Sequence, residues 1–188
     1  MGFYERRFAL RSRTQQAHER LDAAVGAFST LPDYRRYVAR LASFRLAMDA
    51  ALEAVAWPEH WQWRPTRVAG ALAADAADLD LPPILAMPAA EASVDLSDPS
   101  RLLGALYVLE GSTLGARVLK KRAAVLGLDE GFGARHLTLM SKDIAQWQSF
   151  LVVLEGAEDF DIALASLSAN TVFALALRCF ESELLVVH

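Results

Sequence analysis

The chain has 188 residues, 54% hydrophobic and 22% charged, with a formal net charge of −4 and one cysteine. A chain of this size can build a core without metals or disulfides, and the lone Cys179 excludes an internal disulfide or a cysteine-rich zinc site. The start MGFYERRFALRSR has no apolar signal core and no unbroken apolar run reaches membrane-spanning length, so the expectation is a cytoplasmic protein with no membrane and no nucleic-acid partner.

Apolar residues recur at helical spacing nearly everywhere, with no alternating β-branched run, which predicts an all-α fold in one domain over residues 1–188. A first helix is expected from Phe3 to about Gly26, and Pro32-Asp33 opens a second that runs toward Val55, before Trp57-Pro58. The tryptophan-rich connector PEHWQWRP leads to a short helix over Val68–Ala77 and then to the proline-bearing loop DLDLPPILAMPAAEASVDLSDPS. Ser97-Asp98-Pro99 starts a long helix to about Leu126, and Gly127 stops it. After the loop LDEGFGARH, Ser141 is expected to cap a helix through Leu154, closed by Gly156, and a last helix runs from about Asp159 to Leu184.

On the first helix, in LRSRTQQAHERLD, residues Leu10, Arg11, Thr14, His18, Leu21, Asp22 and Val25 fall on neighbouring parts of one face. His18 is either a partly exposed histidine hydrogen-bonded to Asp22, or a metal ligand whose other ring proton Asp22 accepts. His60 and His136 are expected in loops, and His188 is terminal. A di-iron carboxylate bundle needs a Glu-x-x-His pair on two helices, and no such pair occurs. A single axial histidine fits haem.

The second signal is GALYVLEGSTLGARVLKK, Gly104–Lys121, which places Gly111 and Gly115 inside a helix on one face. Each costs about 0.5–1 kcal/mol relative to alanine, so the bare backbone faces something. Either a flat ligand lies against it, or another helix packs closely there.

Taken together, the two motifs resemble the haem oxygenase family, and YVLEGSTLG is most similar to bacterial members associated with bacteriophytochromes. The resemblance implies haem held between a proximal helix, with His18 as axial ligand, and a kinked distal helix containing Gly111 and Gly115. It implies haem as cofactor and substrate, opened with O2 and electrons from an external ferredoxin- or flavoprotein-type donor to biliverdin, carbon monoxide and ferrous iron. A bacteriophytochrome that accepts biliverdin is the further partner implied. Where the animal enzymes carry an acidic distal residue this chain has Ser112, and Ala116 replaces a third glycine. Ser112 can still exchange hydrogen bonds but holds no charge, so distal water falls to backbone near Gly111 and to the hydroxyls of Ser112 and Thr113. A haem-binding carrier or sensor of the same fold is the alternative this substitution raises.

Haem carries two propionates, which want cations. Arg11, two turns before His18, resembles the basic residue that family members place there. Arg178, the one Lys or Arg after Lys142, resembles their basic residue on the last helix; pairing with Glu181 or Glu183 is the alternative. Thr14, Tyr107, Phe173 and Phe180 are candidates to line the pocket. The arginine-rich N-terminal part offers an acidic redox partner a docking surface.

Overall fold

Helices form where apolar spacing coincides with a residue able to satisfy free backbone amides. The computed structural model describes residues 5–84, 92–142 and 144–182. Among them are seven helices and no strand: α1 (Glu5–Val25), α2 (Leu31–Glu53), α3 (Ala69–Asp78), α4 (Pro99–Val125), α5 (Arg135–Ser141), α6 (Ile144–Gly156) and α7 (Ile162–Glu181). The all-α expectation holds.

Local caps explain most of the boundaries. Thr30 accepts the Asp33 amide at the start of α2, and Asp98 accepts those of Ser100 and Arg101 at the start of α4, each with proline in the first turn. Asp161 does the same for Ala163 and Leu164 of α7. Gly26 and Gly127, at φ +63° and +80°, end α1 and α4 in the left-handed conformation that glycine adopts without strain. At the start of α1 the cap comes from elsewhere in the chain. Glu155 accepts the amides of Arg6 and Arg7 at 3.2 and 2.9 Å, and the Arg6 guanidinium donates to the carbonyls of Leu154 and Ala157.

Several boundaries differ from the sequence expectation. The loop expected over LDEGFGARH gives way at Arg135 to α5, so His136 lies in a helix and not in a loop. Ser141 is the last residue of α5, its hydroxyl donating to the Thr138 carbonyl at 3.3 Å, and does not cap α6. Helix α2 stops at Glu53, short of Val55, and α7 starts after its Asp161 cap instead of at Asp159. Phe3 and Leu184, the expected outer limits of the first and last helices, lie outside the described residues.

The long helix α7 is the platform on which the site is assembled. Helix α1 packs along α7 and α6, and α4 along α7, α5 and α6, while α1 and α4 are not packed along one another. Helices α4 and α7 are apolar and long enough to cross a membrane, yet half of each apolar stretch is buried inside the fold. Their close approach depends on Gly104. A Cβ there would lie 1.9 Å from the Ala165 carbonyl oxygen, which only glycine avoids.

The short α5 is held by a buried polar cluster. Asp75 of α3 accepts the backbone amides of Arg135 and His136 at 3.0 and 2.9 Å and contacts His136 Nδ1 at 2.7 Å. Arg135 adds ion pairs to Asp75 and Asp78. The His136 ring is fully buried beside Tyr34 and Tyr37. Burial holds His136 below its ordinary value. Burial acts upward on Asp75, but the hydrogen bonds from His136 and the α5 amides outweigh it and hold the carboxyl below its usual range.

The two signs act together on stability. A histidine with a depressed folded pKa leaves the unfolded chain to take up the proton first as pH falls below 6.5, and the depressed aspartate does the same below 3.8. Thermal melting of the protein is therefore expected to drop on acidification from pH 7 to 5, by at most about 1.4 kcal/mol per pH unit for the histidine proton. His136→Gln, which retains an amide donor for Asp75, should flatten that slope when melting is followed by circular dichroism across the same range.

Candidate active site

His18 lies on α1 with its side chain 61% exposed, so it is not a core histidine. Its Nδ1 is 3.0 Å from Asp22 Oδ2, one turn on, and its ring meets the buried Phe173 of α7 edge-to-face at 5.8 Å. Asp22 engages the Nδ1 side, which makes Nε2 the nitrogen available to a ligand. His60 is exposed on the connector beside Trp61, and His136 is locked to Asp75; His188 lies outside the described residues. No group of three His, Cys, Asp or Glu side chains suited to a metal occurs among the described residues.

Across from this face, α4 presents bare backbone. A Cβ at Gly115 would meet nothing within 4 Å, and one at Gly111 would meet only Trp147 Cζ3 at 3.9 Å. Neither glycine is filled by a neighbouring helix, in contrast to Gly104. Around them on the same helical face, Leu114 and Val118 are large apolar side chains left exposed. An apolar strip flanked by bare backbone, opposite an imidazole, has the shape and chemistry of a slot for a flat apolar ligand with one coordinating atom.

Two contacts join α1 to α4 on either side of His18. On one side Thr14, buried and donating to the Leu10 carbonyl at 2.8 Å, hydrogen-bonds with Tyr107 of α4. Arg7 and Arg11 place their charges by the same phenol, which burial nevertheless pushes above its ordinary value. At the far side Arg122 Nη1 donates to the Gly26 carbonyl at 3.5 Å. Arg11, Thr14 and Tyr107 are thus brought together. Arg178 is exposed on the last turn of α7, about 140° around the axis from Phe173, and stands off the His18 face.

The hydroxyls of the distal motif turn inward. Ser112 Oγ donates to the Leu109 carbonyl at 2.6 Å, and Thr113 Oγ1 to the Glu110 carbonyl at 2.6 Å. Only their lone pairs are left to a ligand, as is common for hydroxyls within a helix.

No family model matches the chain. A curated relative, haem oxygenase PigA of Pseudomonas aeruginosa, is 36% identical over 169 residues, 85% of this chain and 83% of that protein. The chain belongs to the haem oxygenase family. In three dimensions it is similar to the NO- and CO-bound haem oxygenase from Neisseria meningitidis, with a TM-score of 0.66 at 25% identity, over 91% of this chain and 89% of that one.

As a haem oxygenase, the molecule contains two residues near the slot that sequence reasoning did not single out. Trp147 of α6 is buried against Gly111 and lies 6.1 Å from the Tyr107 ring, with the Arg7 guanidinium 5.7 Å from its centroid. It walls one edge of the opening. Its sequence signal is ordinary, an aromatic at helical spacing, so only the packing of α6 against α4 reveals it. Glu110, next to Gly111, is a carboxylate in an otherwise apolar run, and that mismatch is its signal in the sequence.

Proposed function

We propose that the chain binds haem in the slot between α1 and α4, with His18 Nε2 as the axial ligand and the Gly111–Gly115 backbone against the opposite face. The observation that carries this reading is the open space at Gly115, and almost open space at Gly111, on a helix bridged to α1 on either side of the exposed, Asp22-oriented His18 by Tyr107–Thr14 and Arg122–Gly26. The chain is an oxidoreductase of the haem oxygenase family, acting on haem with O2 and reductant to release biliverdin. Bound haem supplies the iron at which O2 is reduced and the meso carbon that is opened.

The protein's own residues bind, orient and exclude. Asp22 holds the Nδ1 proton, which fixes the tautomer and raises the basicity of Nε2. Gly111 and Gly115 let α4 lie close to the porphyrin, and Ser112 sits beside them with its lone pairs outward. Arg11, with Thr14 and Tyr107 at its side, meets one propionate. One haem oxygenase domain across residues 1–188, in the cytoplasm, completes the reading. Its electron donor is of ferredoxin or flavoprotein type, docking on the arginine-rich face of α1, and a bacteriophytochrome receives the biliverdin.

Addition of hemin should produce a Soret band, and reductant under air should then convert it to biliverdin. Stable haem without bile pigment would instead indicate the carrier alternative. Absence of a Soret band at stoichiometric hemin would defeat both.

A further inference from the structure

Beside the glycine face lies a polar cluster to which the ligation scheme assigns no work. Glu110, the residue before Gly111, is 1% exposed. Its Oε1 accepts the Thr66 amide at 2.9 Å, whereas its Oε2 is buried without a hydrogen-bond partner. Arg45 of α2 grips the same residue from its other end, donating through Nη2 to the Thr66 carbonyl at 2.7 Å, and its Nε is also buried and unpartnered. Asp49, one turn along α2, is buried as well.

The charges facing these groups come from α2 and the connector. Arg45 acts on both Glu110 and Asp49, Arg67 on Arg45 and Asp49, and Glu53 on Asp49. Arg67 and Glu53 are exposed and 3.7 Å apart, so this end of the cluster reaches solvent. A buried carboxyl oxygen with no hydrogen-bond donor is costly as a charge, which favours the protonated acid. Burial raises Glu110, and the Thr66 amide and Arg45 only partly offset it; burial raises Asp49 in the same way against Arg45 and Arg67. The hydroxyl protons of Ser112 and Thr113, meanwhile, are spent on backbone carbonyls.

Resting on the haem-degrading reading above, we propose that Glu110 is the proton-holding acid of the distal side, releasing a proton from Oε2 toward the α4 face at Gly111 and regaining one from solvent. The O–H bond breaks with its electron pair left on Glu110, and the proton passes to a water oxygen on that face. The carboxylate so formed is held by the Thr66 amide and by Arg45. A solvent proton then restores the acid, with no change of oxidation state.

The competing role is a clamp that merely ties Thr66 to α4. Glu110→Gln separates the two, because its amide oxygen still accepts from Thr66 but the side chain cannot titrate. The expected result is an unchanged haem-free melting temperature and Soret band, with biliverdin formation lowered roughly 100-fold, the low end for loss of a general acid. Wild-type turnover should fall as pH rises through the Glu110 transition, and the variant profile should be flat in that region. Independently of haem, the infrared spectrum of the wild-type apoprotein at neutral pH should show a protonated-carboxyl C=O band that shifts in D2O and is missing from Glu110→Gln. If that variant does not fold, Glu110→Asp should move the band without abolishing it and keep most of the turnover. Wild-type rate and pH profile in Glu110→Gln, or a band indifferent to both substitutions, would overturn the proposal. A wild-type protein that takes up no hemin would fail earlier and overturn the haem reading with it.

Discussion

His18→Ala is expected to abolish the axial-histidine spectrum of the haem complex and to reduce biliverdin formation by about 100-fold or more, since even outer-sphere partners of a metal ligand are worth 10–100-fold. The fold should not notice. The side chain is 61% exposed, paired with Asp22 and edge-on to Phe173, so the haem-free stability should change by no more than about 0.5 kcal/mol. His60→Ala should leave the spectrum unchanged, because that imidazole sits on the connector beside Trp61. Asp22→Asn keeps the iron bound but weakens the hold on the Nδ1 proton, and its effect should be about tenfold. Optical spectra of the ferric complexes and single-turnover biliverdin yields check the series. An unchanged spectrum in His18→Ala would reject the ligand assignment.

Substitutions at the α4 glycines should divide into two classes with opposite signatures. Gly115→Leu adds its Cβ to open space and replaces a poor helix former by a good one, so the haem-free protein should melt at the same temperature or higher, by up to about 1 kcal/mol in stability. Haem uptake or its oxidation should nonetheless fail, because the new side chain fills the slot. Gly104→Ala should behave in reverse. Its single methyl would lie 1.9 Å from the Ala165 carbonyl oxygen and 2.7 Å from the carbonyl carbon, and backbone cannot yield as a side-chain tip can. Prying α4 from α7 should cost about 3 kcal/mol or more, beyond ordinary overpacking. Calorimetry of the two haem-free variants beside hemin titration distinguishes slot from packing. A Gly115→Leu protein destabilised as severely as Gly104→Ala would mean that the slot is a helix contact.

Parts of the fold whose causes are local were legible in the sequence. Asp98-Pro99 and Gly127 bracket α4 because cap and stop sit next to the helix they serve, and the pairing of His18 with Asp22 follows from one helical turn. Helix α5 was missed because its cap is not local: the residue before it, Ala134, has no capping side chain, and the acceptor is Asp75 from a distant helix. The same displacement hid the state of His136, which no neighbour in sequence would bury. The two possible meanings of Gly111 and Gly115 could not be separated by spacing, since Gly104, seven residues before Gly111, is the glycine that packs a helix and the later two are not. Arg178 illustrates the opposite limit. An isolated cation in an apolar run draws attention, but only the contact of Phe173 with His18 shows which face of α7 meets the imidazole, and that Arg178 stands off it.

The most direct measurement is the crystal structure of the haem complex. The account predicts iron bonded to His18 Nε2, Asp22 on Nδ1, and the Gly111–Gly115 backbone against the opposite face of the porphyrin, with Arg11 toward a propionate. Iron held by another residue, or haem lodged anywhere but between α1 and α4, would contradict it.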